Sequence, residues 1–146
     1  MREICGDIWE HLGTAVIAIT TNGLVTKKGL AVFGRGCAGQ AEERFPNLPE
    51  RLGTLLAGGN HVYPLGDGLV SFPVEHSPYE NPDLRLIERS ARELAALAEA
   101  EGWARVILPR PGCGGGGLPW EDVKPLLEHH LDDRFLVITC ETPRHP

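Results

Sequence analysis

Short apolar runs that alternate with helical periodicity mark this chain as an α/β domain with a largely parallel or mixed sheet. The runs "AVIAI" (Ala15 to Ile19), "LVSFPV" (Leu69 to Val74), "RVILP" (Arg105 to Pro109) and "RFLVIT" (Arg134 to Thr139) are partly β-branched and bounded by turn residues, as buried strands are. A long amphipathic pattern separates the second run from the third, and two glycine-rich segments stand where the chain passes from a strand toward a helix. In folds of this kind ligands bind beyond the carboxyl ends of the strands. Both glycine-rich segments occupy such positions.

The elements follow in chain order. The first residues and "HVYPL" (His61 to Leu65) are weaker strand candidates. A helix is expected over Cys37 to Phe45, directly after the glycines of "GRGCAG" (Gly34 to Gly39). The clearest helix covers Asp83 to Glu101, where Leu84, Ile87, Ala91, Leu94 and Ala98 recur at spacings of three and four and leave one face apolar. Asn81 as N-cap and Pro82 at the first helical position start it, and Gly102 stops it. A shorter helix over Glu121 to His130 buries Val123, Leu126 and Leu127, although Pro125 removes a donor and disfavours it. Internal repeats and low-complexity linkers are absent from the sequence.

With 146 residues the chain is expected to form one domain, large enough to bury a core without metal or disulfide staples. Its 42% hydrophobic and 23% charged residues are those of an ordinary globular protein. The net charge of -6 excludes a broad electrostatic footprint for nucleic acid. Lys27, Lys28 and Arg35, which flank the first glycine segment, are either a local phosphate-binding spot or a solvated loop. The opening "MREICGDIWEHLG" is not a signal peptide and no stretch is long enough to span a bilayer, so a cytoplasmic protein without membrane contact is expected. Cys5, Cys37, Cys113 and Cys140 lie far apart and read as reduced thiols. The six histidines form no metal-ligand spacing. Neither a metal ion nor a cofactor is expected, and the chain is expected to be a monomer. Arginine far outnumbers lysine while Met, Gln and Asn are scarce, a pattern that fits a thermophile or a GC-rich genome equally.

"GRGCAG" carries the G-x-G-x-x-G spacing of a dinucleotide fingerprint, but "AVIAI" ends some fifteen residues before Gly34 and no strand with a terminal acid follows at the required distance. The second segment, "RPGCGGGG", is not a Walker A loop, because it continues into Leu118, Pro119 and Trp120 instead of Lys-Ser/Thr. Five glycines between Gly112 and Gly117 weaken any regular element, so a stability role alone explains them poorly. Glycines let main-chain N–H groups approach an anion. The two loops are therefore expected to close on one diphosphate from two sides, the alternative being two unrelated tight turns.

These motifs resemble the macrodomain family, three-layer α/β/α modules with a central mixed sheet that bind ADP-ribose, and the resemblance spans nearly the whole chain as a single domain, residues 1–146. "GDIW" (Gly6 to Trp9) resembles the family's first motif, "TTNG" (Thr20 to Gly23) with "VFGRGCAGQA" (Val32 to Ala41) its first ligand loop, and "PRPGCGGGGLPWEDV" (Pro109 to Val123) its second phosphate loop. The order is similar to the branch that contains terminal ADP-ribose glycohydrolases and the antitoxins that remove ADP-ribose from DNA. The resemblance implies a ligand site of Asp7, Ile8, Asn22, Gly34, Gly36, Cys37, Ala38, Gly112, Cys113, Gly114, Gly115, Gly116, Gly117 and Leu118. The implied partner is ADP-ribose or an ADP-ribosylated macromolecule, ADP-ribosylated nucleic acid included. The implied activity is removal of ADP-ribose or its non-catalytic recognition, the alternative fold being a doubly wound nucleotide-binding α/β domain of another kind.

Several of these residues have two readings. Asp7 accepts from an exocyclic amine or caps a helix; Asn22 serves ribose hydroxyls or an Asn-Gly turn. Trp120 packs beneath the phosphate loop, against adenine, or into the core. In the resembled branch a lysine attacks the ribose with help from an acid in the second glycine loop, and those positions hold Glu75 and Gly116 here. The "KKGLAVFG" segment is also a poor match to the polar first loop of water-activating macrodomains. Glu75 and His76 remain the candidates for catalysis, as a base that orients water and a neighbour poised near neutral pH, against a reading as solvated loop residues. Cys113, flanked by glycines, is a candidate thiolate at a helix N-terminus, for which the sequence locates no histidine base.

Overall fold

The computed structural model describes residues 1–139; Cys140 lies outside them. Six strands form one sheet in the order β1-β6-β5-β2-β4-β3. They are β1 (Arg2–Cys5), β2 (Val16–Thr21), β3 (Pro64–Gly66), β4 (Leu69–Pro73), β5 (Val106–Pro109) and β6 (Phe135–Thr139). All neighbours pair in parallel except β3 with β4, so the sheet is mixed. Of the weak strand candidates, the first residues form β1, and only Pro64 and Leu65 of "HVYPL" fall in β3; these two strands are the sheet edges.

Alternation along each strand sorts side chains to two faces. Ala18, Val70, Phe72, Val106, Leu108, Phe135 and Val137 pack under α3 (Leu84–Glu101) and α4 (Trp120–His130). Ile17, Ile19, Leu69, Ile107 and Ile138 face the opposite way, toward α1 (Gly36–Arg44) and α2 (Leu48–Leu55). The result is an α/β/α sandwich with two cores, one on each side of the sheet.

Two helix expectations are corrected in detail, and a further helix was not expected. α3 is capped by Asp83, whose carboxylate accepts from the Arg85 amide at 2.9 Å, so Asn81 and Pro82 lie outside the helix. The apolar face runs through Leu86, Ile87, Ala91, Leu94 and Ala98 with Ser90, while Leu84 is exposed. Ser90 is buried because its hydroxyl donates to the Pro73 carbonyl at 2.7 Å. Gly102 ends the helix in the left-handed conformation, as expected. α4 continues through Pro125, which is exposed, with Val123 and Leu127 fully buried and Leu126 only half-buried. α2 was not anticipated at all. Its Pro49 stands in the first turn, where no amide hydrogen is needed.

Candidate functional site

A cleft of about 570 Å3 opens at the carboxyl ends of β2, β4 and β5. Thr20, Thr21 and Asn22 form its floor from the end of β2, and Val74 and Glu75 follow β4. Residues Gly34 to Ala38 form one wall; Pro109, Arg110, Gly112 and Gly114 to Gly116 form the other, with Pro78 and Pro82 at the rim. The two glycine-rich segments, far apart in sequence, thus face one space.

The first segment is held by Asn22. Its Nδ2 donates to the Val32 carbonyl at 3.0 Å and its Oδ1 accepts from the Leu24 amide at 3.0 Å. That closes the neck of a loop in which Val25 bridges Ala31. The turn role of Asn22 is therefore realised, and the side chain is 94% buried while still lining the cleft (6% exposed). Twelve positions separate Gly34 from the end of β2, so Gly34 does not follow a sheet strand directly, which excludes a dinucleotide-fingerprint reading of "GRGCAG". Instead Gly39 lies where a Cβ would stand 2.6 Å from the Gly34 carbonyl oxygen, so the spacing serves close packing at the root of α1.

The glycines of the second segment divide into two groups. At Gly112, φ is +75°, and a Cβ would meet Leu118 at 2.9 Å; at Gly116 it would meet Pro82 Cγ at 2.5 Å and the Gly112 carbonyl oxygen at 2.7 Å. Gly117 also has positive φ, and its amide donates to the Gly114 carbonyl at 3.2 Å. These three shape the turn. Gly114, Gly115 and, across the cleft, Gly34 have ordinary φ and open space where a Cβ would be. Nothing in the folded chain requires glycine at those positions.

Donors converge on the same space. The first turn of α1 begins after Arg35, which provides no side-chain cap, so the amides of Gly36, Cys37 and Ala38 lack helical acceptors. The amides of Gly114, Gly115 and Gly116 donate to no backbone carbonyl among the described residues. Arg35 and Arg110 are the cationic side chains of the lining and Glu75 the acidic one. Lys27 and Lys28 are exposed and do not line the cleft.

The 74–76 segment is tied down by its backbone. Val74 donates to the Thr21 carbonyl at 2.9 Å, Gly23 donates to the His76 carbonyl at 3.1 Å, and Asn60 Nδ2 donates to the Glu75 carbonyl at 3.0 Å. Burial pushes the Glu75 carboxyl above the usual range. His76 is exposed outside the lining, with Nε2 2.8 Å from Asp83 Oδ2, so the structure does not bring it beside Glu75 in the cleft.

Asp7, Ile8, Cys113, Gly117 and Leu118 also stand outside the lining. Asp7 caps a short 3-10 turn, accepting from the Trp9 amide at 3.0 Å, while Ile8 is buried in the core. Leu118 is half-buried, and its amide donates to the Gly112 carbonyl at 2.9 Å. Cys113 precedes α4 by several residues and burial raises its thiol pKa, so the thiolate expectation fails. Cys37 lines the cleft with its thiol pushed up to about 12 by burial. Trp120 is half-buried, partly packed on the core and stacked beneath Arg110. Of the lining, Thr20, Thr21, Pro109 and Arg110 fall within the motifs read as ligand loops without having been named as site residues, and Val74, Pro78 and Pro82 were missed; the rule that ligands sit beyond strand carboxyl ends pointed to Val74. Among the described residues no group of His, Cys, Asp and Glu is placed to hold a metal ion.

No family profile and no curated protein matches the chain. Solved structures do. The macrodomain of Thermus aquaticus DarG superposes with a TM-score of 0.75 at 23% identity, covering 97% of each chain. The macrodomain of Mycobacterium tuberculosis DarG does so with a TM-score of 0.75 at 25% identity, over 96% of this chain and 98% of that one. The fold is that of a macrodomain. Thermosipho africanus DarTG in complex with ADP-ribose also matches, with a TM-score of 0.75 at 19% identity. That match covers all of this chain but only 43% of the other.

Proposed function

We propose that this macrodomain binds ADP-ribose, free or attached to a macromolecule, in the cleft between its two glycine-rich loops. One observation carries the reading: Gly34, Gly114 and Gly115 leave open space around uncapped amides, for which the chain itself has no use. Such amides at a helix start and in a glycine turn suit a diphosphate. The cleft volume, about 570 Å3, falls in the range of small-molecule sites. The DarTG complex with ADP-ribose supports the same ligand by likeness of fold. Asp7, Ile8, Cys113, Gly117 and Leu118 belong to the proposal as the outer shell of the site, with Asp7 still offering an oxygen to the adenine amine.

The proposed activity is hydrolysis of the bond between ADP-ribose and its protein or nucleic-acid carrier. Glu75, partly buried on the cleft wall and raised in pKa, acts as the base that orients water at the anomeric carbon, with His76 a secondary candidate. A non-catalytic reader is the second reading, and it is favoured by Gly116. A side chain there, where the resembled branch carries an acid, has no room beside Pro82.

The test incubates the protein with ADP-ribosylated protein and ADP-ribosylated DNA and measures released ADP-ribose, wild type against Glu75→Gln. Release by wild type and loss in the variant support the hydrolase. Tight ADP-ribose binding without release from either carrier makes the protein a reader, and unchanged release by the variant discards Glu75 as base.

A further inference from the structure

Arg110 stands at the root of the second glycine loop and lines the cleft, yet its guanidinium is poorly engaged. Its sole ion-pair partner among the described residues is Glu3, with Nη2 3.4 Å from Oε1, well beyond the 2.7–2.9 Å of a good charge-assisted bond. Its Nε is buried without an acceptor. The guanidinium is nevertheless kept in place, because it lies over the Trp120 ring at 4.8 Å from the centroid. Glu3 has better partners: Lys124 Nζ at 2.7 Å and Trp120 Nε1 at 3.0 Å. Those contacts, the Lys124 bond foremost, hold the Glu3 carboxyl below its ordinary range, so it stays charged whether or not Arg110 is present.

A structural ion pair would be short and mutually dependent; this one is long, and only one partner relies on it. We propose that Arg110 is a specificity-determining residue which leaves Glu3 on ligand binding and donates to the diphosphate, making the cleft select the dianionic ligand over its uncharged nucleoside part. The hand-off leaves no orphaned charge, because Lys124 and Trp120 continue to satisfy Glu3, and Trp120 keeps the guanidinium plane stacked at the cleft wall. Arginine suits the role through its planar fork of donors, which lysine lacks.

This inference rests on the ADP-ribose reading above, and the experiment separates the two. Binding of ADP-ribose, AMP and adenosine is measured by calorimetry at two salt concentrations for wild type, Arg110→Gln and Arg110→Lys. Arg110→Gln is expected to weaken ADP-ribose by roughly tenfold or more, the size of a lost hydrogen bond to a charged group, while adenosine changes little. Arg110→Lys is expected to recover part of the loss and to show a steeper salt dependence. Equal ADP-ribose affinity in wild type and Arg110→Gln overturns the role of Arg110 and leaves the ligand reading intact; no binding by wild type overturns both. Should the variants fold poorly, the side-chain 15Nε resonance of Arg110 in the wild-type protein serves instead. It is expected to move on titration with ADP-ribose and not with adenosine, and a resonance unmoved by saturating ADP-ribose overturns the proposal.

Discussion

Replacing Gly115 and replacing Gly116 test different things. A Cβ at Gly115 meets no atom, so Gly115→Glu is expected to fold with its melting temperature within a degree or two of wild type while losing all stabilisation by ADP-ribose, because bulk and negative charge enter the anion space. A Cβ at Gly116 meets Pro82 and the Gly112 carbonyl, so Gly116→Asp is expected to lower the melting temperature even without ligand. Differential scanning fluorimetry with and without ADP-ribose checks both. Glu75 permits a pH experiment. Burial raises its folded-state pKa, so the proton it holds contributes stability below the unfolded carboxyl's pKa, and that contribution is lost as pH rises through the folded value. At neutral pH the carboxylate is then a net cost. Glu75→Gln is expected to melt at or above wild type at neutral pH, with the advantage vanishing below about pH 4. Glycine density marked this loop in the sequence, but which glycines serve the turn and which serve open space depends on Pro82, dozens of residues earlier, and was legible only in three dimensions.

Elements were legible where burial and periodicity agreed and obscure where a polar or breaking residue had a partner elsewhere. The four apolar runs became β2, β4, β5 and β6 to within two residues at either end. α2 was not read from the sequence; it is eight residues long, with Pro49 in its first turn and Gly53 inside it. Gly53 is needed for docking: a Cβ there would stand 2.0 Å from the Gly29 carbonyl oxygen. Alanine would improve helix propensity by about 1 kcal/mol, yet the overlap forces α2 away from the first ligand loop. Gly53→Ala is therefore expected to destabilise the protein and weaken ADP-ribose binding together, measured by urea unfolding and calorimetry. At the start of α3 the sequence reading took Asn81 as the cap, whereas Asp83 caps the helix, one carboxylate oxygen accepting from the Arg85 amide and the other standing 2.8 Å from His76 Nε2. Asp83→Ala is expected to cost about 1 kcal/mol, the usual value of an N-cap. Asp83 is held below the ordinary carboxyl range, first by His76, so this contribution is present at neutral pH and fades as pH falls through its folded pKa.

For the whole molecule, the proposed ligand would bridge the two halves of the sandwich, since α1 belongs to one core and the second glycine loop adjoins the other. ADP-ribose at 100 times its dissociation constant is expected to stabilise the fold by about 2.7 kcal/mol, a rise in melting temperature on the order of 5–10 °C. AMP and ribose 5-phosphate, each lacking half the diphosphate bridge, are expected to give smaller rises at equal concentration, and equal rises would argue against a site built for both riboses. Strand order carries one more consequence. Among the described strands β1 lies at a sheet edge and pairs only with β6, Arg2 opposite Leu136 and Cys5 opposite Thr139. β1 therefore has no neighbour in this sheet until β6 is available, and its closure spans most of the described residues. Glu3 on that strand holds Lys124 at 2.7 Å and Trp120 at 3.0 Å and stands 3.4 Å from Arg110, so these contacts depend on the pairing of β1 with β6. A substitution that weakens the pairing of β1 with β6 is thus expected to disturb the Arg110 side of the cleft together with the sheet edge.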